Sequence, residues 1–326
     1  MPSPLSRAQA MEARSATALP VDPGWWYEPK WDGFRCLAFR QGDNVTLQAK
    51  SGKPLTRYFP EIVALLEAVT EDSFVLDTEL LIPIDEGFSF EALQTRLHPA
   101  ESRIRRLSTE TPAVLAAFDM LQDTKGNDLR VAPWRRRHSA LAAFIEDHGG
   151  LRLTLTPGTE DVGLAQAWLD EGALEGIVAK RLDGPYAEGE RAMIKVKRQR
   201  TADCVVGGFR YAKDSKFVGS LLLGLYDDDG LLNHVGFTSG LAAADKPDLT
   251  RKLEALAGGT GFTGDAPGGP SRWSDERSSQ WTPLSPDLVV EVSFDHVSGG
   301  RFRHGTKLIR FRPDKAPGQC RLEQIV

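Results

Sequence analysis

Ile62, Leu65, Leu66 and Val69 follow the i, i+3, i+4, i+7 spacing of a helix with one buried face. Residues 34–40 and 45–50, separated by the turn Gln41-Gly42-Asp43-Asn44, read instead as the two strands of a hairpin. Residues 74–82 read as a strand, and Ser89 as the N-cap of a short helix running towards Leu97. The continuous apolar run at 112–121 predicts a buried strand, 133–148 and 161–170 predict helices, and 176–180 and 192–197 predict strands. This mixture is not a regular βαβ alternation.

Beyond Thr201 the texture changes. Short strands at 204–211, 220–226 and 232–237 are separated by glycines or aspartates, and a helix follows near 249–257. The Gly/Pro-rich stretch 258–270 predicts a mobile loop, and 288–294 and 307–311 add two strands. Such a set suggests a small barrel of the OB type. The expected organisation is α+β: a flexible leader at 1–20, a domain of mixed and antiparallel sheet at 21–201, and an OB-fold barrel at 202–326.

Composition narrows the class. In 326 residues, 41% are hydrophobic and 26% charged, which excludes a disordered, collagen-like or disulfide-scaffold chain. There is no apolar run long enough for a spanning helix, and residues 1–20 lack the apolar core of a secretory signal, so no membrane association is expected. Cys36, Cys204 and Cys320 are far apart and form no CxxC pair, which argues against a cysteine zinc site and for a reducing, cytoplasmic setting. A net charge of -5 does not suit a protein that coats nucleic acid non-specifically. Basic residues are nevertheless clustered: Arg103, Arg105 and Arg106; Lys195, Lys197, Arg198 and Arg200; and seven Lys or Arg against two acids from residue 296 onward. Each cluster alone reads as a solvated face.

The sharpest local feature is Lys30-Trp31-Asp32-Gly33 directly before a strand, with Glu28 upstream. By itself it is a polar turn. A lysine amine becomes a covalent nucleophile when neighbouring cations or burial favour its neutral form. Further along come Asp77-Thr78-Glu79-Leu80, Phe118-Asp119, Glu175 to Lys180, and Ile194-Lys195-Val196-Lys197. These residue types suit the handling of a nucleoside triphosphate: carboxylates for metal and ribose, an aromatic ring for the base, lysines for phosphate oxygens. Taken singly, Glu79 or Glu175 could be a strand-edge charge, Phe118 a core aromatic, and Lys195 with Lys197 the wet face of a strand.

In this order, the series resembles the covalent nucleotidyltransferase superfamily of DNA ligases, RNA ligases and capping enzymes, and ATP-dependent DNA ligases most of all. Five family elements match between Lys30 and Lys197, and Arg310-Phe311-Arg312-Pro313-Asp314-Lys315 resembles a sixth. The segment Lys50-Ser-Gly-Lys-Pro-Leu-Thr-Arg57-Tyr-Phe-Pro and the ending Phe302-Arg303-His304-Gly305 are similar to the compact bacterial ligase C type.

The resemblance implies a nucleotidyltransferase domain before the OB fold, with ATP and magnesium, or manganese in its place, as cofactors. It makes Lys30 the residue that takes AMP, Glu28 its neighbour at the adenine edge, and Phe118 the ring stacked on adenine. Glu79 would bind ribose or metal, Glu175 would be the principal metal carboxylate, and Lys195 and Lys197 would grip the α-phosphate. Arg35 would touch ribose or the nick phosphate. Lys50 would contact phosphate or DNA, and Arg57, Arg198 and Arg200 would face DNA, while Arg310, Arg312, Asp314 and Lys315 would lie in the barrel segment that closes over ATP. Thr78, Ala49 and Met193 depart from the family's usual glycine, serine or threonine, and tryptophan. The implied partner is nicked or gapped duplex DNA, with a repair polymerase as a candidate companion, a monomer as the expected state, and the nucleoid as the place of work. Left open are an RNA ligase, a capping-type enzyme, and a catalytically silent OB-fold nucleic-acid binder.

Overall fold

Alternation along the strand Phe34–Gln41 sends Cys36 and Ala38 to one face of a sheet and Arg35, Leu37 and Phe39 to the other. The computed structural model describes residues 7–85, 87–171, 174–198, 200–268 and 280–325. The chain divides into two compact units, Met1–Arg198 and Gln199–Val326.

In the first unit, that strand belongs to a five-stranded sheet ordered Asn44–Ala49, Phe34–Gln41, Ser73–Leu81, Val114–Gln122, Leu153–Leu155. Its pairs are antiparallel except the last. Cys36, Ala38, Leu76, Leu80 and Leu115 point to the face covered by the helices Pro60–Glu67 and Trp134–His148, whose Ile62, Leu66, Leu141 and Phe144 complete that core. The opposite face carries Leu37, Phe39, Val75 and Leu121 towards a second sheet. This sheet is ordered Ala13–Ala16, Met193–Lys197, Gly176–Arg181, Trp25–Pro29. Its outer face packs Tyr27, Ile177, Ala179, Ile194 and Val196 against Ala165 and Leu169 of the helix Val162–Glu171. The unit is therefore layered helix, sheet, sheet, helix, with one polar-containing interior between the sheets.

Part of the expected flexible leader is built into this fold. Ala8 and Met11 are buried between the sheets, and Ala13–Ala16 pairs in parallel with Met193–Lys197. The reason is a partner that lies far along the sequence and supplies the edge. Residues 1–6 are outside the described set. The Ser89 cap forms as expected, its Oγ accepting from the Ala92 N–H at 3.1 Å. The basic stretch at Arg103, Arg105 and Arg106 lies on a helix, Glu101–Glu110, that sequence patterning missed; it buries only Ile104 and pairs Arg105 with Glu101 and Arg106 with Glu110.

The second unit is ordered Leu232–Thr238, Val218–Tyr226, Arg200–Tyr211, Val289–Phe294, Lys307–Phe311. The long strand begins at Arg200, ahead of the expected boundary after residue 201. Its first half pairs with Val289–Phe294 and its second with Val218–Tyr226, with a register shift between Val206 and Gly208. At this corner glycine is required: a Cβ on Gly207 would lie 2.7 Å from the ring of Phe262. A parallel bridge joins Thr238, the end of the first strand in this order, to Thr306, the residue just ahead of the last, the closure expected of an OB barrel. There the Thr306 N–H donates to the Phe237 carbonyl at 2.9 Å, and Thr238 Oγ1 donates to the Thr306 carbonyl at 2.9 Å. The loop expected to be mobile is pinned over its described part: Phe262 is buried in the barrel core, and Thr263 Oγ1 accepts from the Leu232 N–H at 2.8 Å. Gly269 and Pro270, the end of that stretch, lie outside the described residues.

Candidate active site

The two facing sheets of the first unit place their polar side chains by the same period of two that builds their cores. On the five-stranded sheet, Arg35 lies directly opposite Glu79, and Asp77 follows two residues away on the same face. On the other sheet, Glu28, Val178 and Lys195 form one row across three strands. Between them is a cavity of about 240 Å³ lined by Glu28, Lys30, Arg35, Lys50, Glu79, Phe118 and Lys195, among others.

Lys30 follows the strand Trp25–Pro29, and its N–H donates to the Gly176 carbonyl at 2.8 Å. That bond sets it beside Glu175. The Lys30 ammonium pairs with Glu175 Oε2, while Lys197 Nζ reaches Glu175 Oε1 at 2.9 Å. Two lysines from different strands thus share one carboxylate. Lys195 makes no ion pair among the described residues; burial lowers its ammonium pKa, and Lys30, Lys197 and Lys50 add to the effect.

At Glu28 the surroundings are drier. Its Oε2 lies 2.6 Å from Lys180 Nζ and its Oε1 accepts from Trp26 Nε1 at 3.1 Å, with both charged side chains 3% exposed. Burial pushes the Glu28 carboxyl up to about 7, although Lys180 pulls it back. Lys180 also donates to the Phe118 carbonyl at 3.0 Å and lies 4.5 Å from the centre of its ring. Arg35 forms a two-point contact with buried Asp77, at 2.6 Å to each oxygen, and Tyr186 donates to Asp77 as well. Burial pushes Glu79 up to about 8 against the pull of Arg35 and Lys30.

Other expected residues lie elsewhere. Arg57 is outside the cavity lining, donating to the Pro99 carbonyl at 2.9 Å. Arg198 donates its backbone N–H to the Glu175 carbonyl at 3.2 Å. In the second unit, Arg200 lies 5.0 Å from the Phe294 ring centre, and Arg310 pairs with Glu291 at 2.6 Å. Arg312 and Lys315 converge on Asp203 at 2.9 and 3.0 Å, and Arg312 also holds Asp314.

Two family models match the chain. The ATP dependent DNA ligase domain family matches residues 8–197, and the ATP dependent DNA ligase C terminal region matches residues 214–315. The chain belongs to the ATP-dependent DNA ligase family. This ligase is 43% identical over 330 residues to DNA ligase C1 of Mycolicibacterium smegmatis, covering 97% of this chain and 93% of that protein. It is 41% identical over 337 residues to DNA ligase C of Mycobacterium tuberculosis, covering 97% and 92%. Among solved structures, it is similar to the ligase domain of M. tuberculosis LigD, with 28% identity, a TM-score of 0.50 and coverage of 96% and 97%. It is also similar to a mycobacterial DNA ligase D complexed with ATP and MES, with 27% identity and a TM-score of 0.51.

Membership makes this protein an ATP-dependent DNA ligase that works with ATP and, as is typical of the family, magnesium. The donor set near Lys30 fits such an ion, because Glu79 and Glu175 offer the carboxylate oxygens that hard divalent cations take. Sequence reasoning assigned no role to Lys180, Asp77, Tyr186 or Glu12. Lys180 and Asp77 each lie two residues from a pocket residue on their own strand, Val178 and Glu79, which is the signal that could have found them. No helix among the described residues is long and apolar enough to cross a membrane.

Proposed function

We propose that Lys30 is the residue of this ligase that carries AMP. Supporting this reading is one observation: seven of the expected site residues, Lys30 among them and spread from residue 28 to residue 195, line a single cavity. Glu28 reads the adenine edge, and Phe118 packs on the base from one sheet while Val178 lines the cavity from the other. Arg35 and Glu79 lie where ribose hydroxyls need a donor and an acceptor. Lys195 and Lys197 neutralise the α-phosphate oxygens. Glu79 and Glu175 hold magnesium, which supplies charge to the phosphates.

The Lys30 amine forms an N–P bond to the α-phosphorus as the bond to the β-phosphate oxygen breaks and pyrophosphate leaves. The ammonium sheds its proton to solvent before attack, and the hydrogen bond to Glu175 holds the amine at the cavity. AMP then passes to a DNA 5′-phosphate, and a 3′-hydroxyl displaces it to form the phosphodiester. Each step is a phosphoryl transfer, dominated by positioning and charge. Arg310, Arg312 and Lys315 serve the first step, orienting the leaving pyrophosphate, with Asp314 fixing Arg312. Lys50, in the cavity lining beside Lys195, meets the phosphates of ATP, while Arg57, Arg198 and Arg200 meet the DNA backbone. The substrate is nicked or gapped duplex DNA, and the ligase works as a monomer in the cytoplasm, at the nucleoid, alongside a repair polymerase.

Pure protein incubated with magnesium and labelled ATP or GTP should retain label after denaturation only from ATP. Side-by-side DNA and RNA nicks should show sealing of DNA. Label retained equally from GTP would reject the adenine assignment, and preferential sealing of RNA would reject the substrate.

A further inference from the structure

Four of the five cations that line the cavity, all but Lys195, pair with carboxylates of the protein. Lys30 and Lys197 share Glu175, Arg35 holds Asp77, and Lys180 holds Glu28. Lys50 is matched by Glu12, whose Oε1 lies 3.2 Å from its Nζ. The first three acids have other work, in metal binding, in support of Arg35 and in reading the base. Glu12 has none.

Glu12 is placed firmly. Its N–H donates to the Glu190 carbonyl at 2.7 Å, and the Met193 N–H donates to its carbonyl at 3.1 Å, just ahead of the edge strand Ala13–Ala16. Its side chain lines the cavity with Lys50 and Lys195 and is 30% exposed. Hydrogen bonding to Lys50 holds its carboxyl below the usual range, with smaller contributions from Arg191 and Lys195. A fixed carboxylate thus stands among cations suited to phosphate. An incoming triphosphate must take Lys50 from Glu12 and sit near a like charge.

We propose that Glu12 sets how tightly the ligase holds the phosphate end of ATP and the departing pyrophosphate, by pairing with Lys50 when the pocket is free of nucleotide and repelling the phosphates when it is filled. The proposal rests on the reading that ATP phosphates face Lys50 and Lys195. Its benefit is release: a site of unopposed cations would retain pyrophosphate, and pyrophosphate held beside lysyl-AMP drives the first step backwards.

The test uses the full chain and follows self-adenylation at several ionic strengths, with added inorganic pyrophosphate as the inhibitor. Glu12→Gln keeps the shape and removes the charge. It should lower the KM for ATP and strengthen inhibition by pyrophosphate, each by about threefold to tenfold, and the gain should shrink as salt screens the pocket. Glu12→Asp should stay near the wild type, and Glu12→Ala should behave as Glu12→Gln does. An unchanged or raised KM for ATP in Glu12→Gln, or a gain indifferent to salt, overturns the proposal. Lys50→Gln, run in parallel, separates the two levels. Weaker pyrophosphate inhibition in Lys50→Gln without a gain in Glu12→Gln sinks the role of Glu12 alone. No change in Lys50→Gln sinks the placement of phosphates at Lys50, and the proposal with it.

Discussion

Lys180 and Lys315 each meet a carboxylate at short range, 2.6 Å to Glu28 and 3.0 Å to Asp203. Their surroundings differ. The Glu28 pair is 3% exposed on both sides and is enclosed between two sheets, whereas Lys315 is 26% and Asp203 11% exposed on the barrel. Breaking the first strands a charge where water does not reach, at a cost of several kcal/mol. Breaking the second at Lys315 leaves Asp203 paired with Arg312, at a cost of about 1 kcal/mol or less. Short distances therefore describe an enclosed pair in one unit and a more open one in the other. A base-recognition site needs the first kind of pair, and residues that meet phosphates in only one step of a cycle need the second.

The hardest way to break the pocket side is at its proposed nucleophile, Lys30. Lys30→Ala should abolish the protein-AMP adduct while sealing of a pre-adenylated nick survives in part; labelling at the wild-type rate would remove Lys30 from that role. Next comes the buried pair. Lys180→Met should cost about 3–5 kcal/mol of folding stability, against about 1 kcal/mol or less for Lys315→Met, read from denaturant unfolding. Equal losses would erase the contrast. Smaller again, Arg312→Ala should slow self-adenylation by about tenfold and sealing of pre-adenylated nicks by much less. If both reactions fall alike, Arg312 belongs to the DNA grip.

The smallest expected effect is on pH dependence. Glu28 has a carboxyl raised to about 7 in the fold from 4.5. Between those values the folded state holds a proton that the unfolded chain has released, so this group's contribution makes stability fall as pH rises. Glu28→Gln should flatten that slope, and identical slopes in wild type and variant would refute it.

Local patterning revealed most elements whose partners are close in the chain. The 34–40 and 45–50 hairpin, the Ser89 cap and the barrel strands announce themselves through alternation, turn residues and capping chemistry. Ala13–Ala16 did not, because Ala-Arg-Ser-Ala has no apolar alternation and becomes a strand only by pairing with Met193–Lys197. The helix Glu101–Glu110 was hidden for a related reason: one buried residue makes no periodic stripe. The pocket was legible as residue types in order, from Glu28 and Lys30 to Lys195. The neutralising partners were not. Asp77, Lys180 and Glu12 have the composition of solvated charge, and only the meeting of two sheets encloses them with Arg35, Glu28 and Lys50.

The short seam at Thr238 and Thr306 has a kinetic meaning. Adjacent strands elsewhere in the barrel are laced by ladders, as between Arg200–Tyr211 and Val289–Phe294, while the seam is a single bridge reinforced by two threonine hydroxyls. A closed cylinder opens where its lacing is thinnest, and the amide of Thr306 is the timer of that event. In deuterated solvent it should exchange long before the amides of the central ladder, and replacing either threonine with valine should hasten it further. The barrel would then breathe along one line while its core stays shut, because the last strand, Lys307–Phe311, remains laced to Val289–Phe294 on its other side.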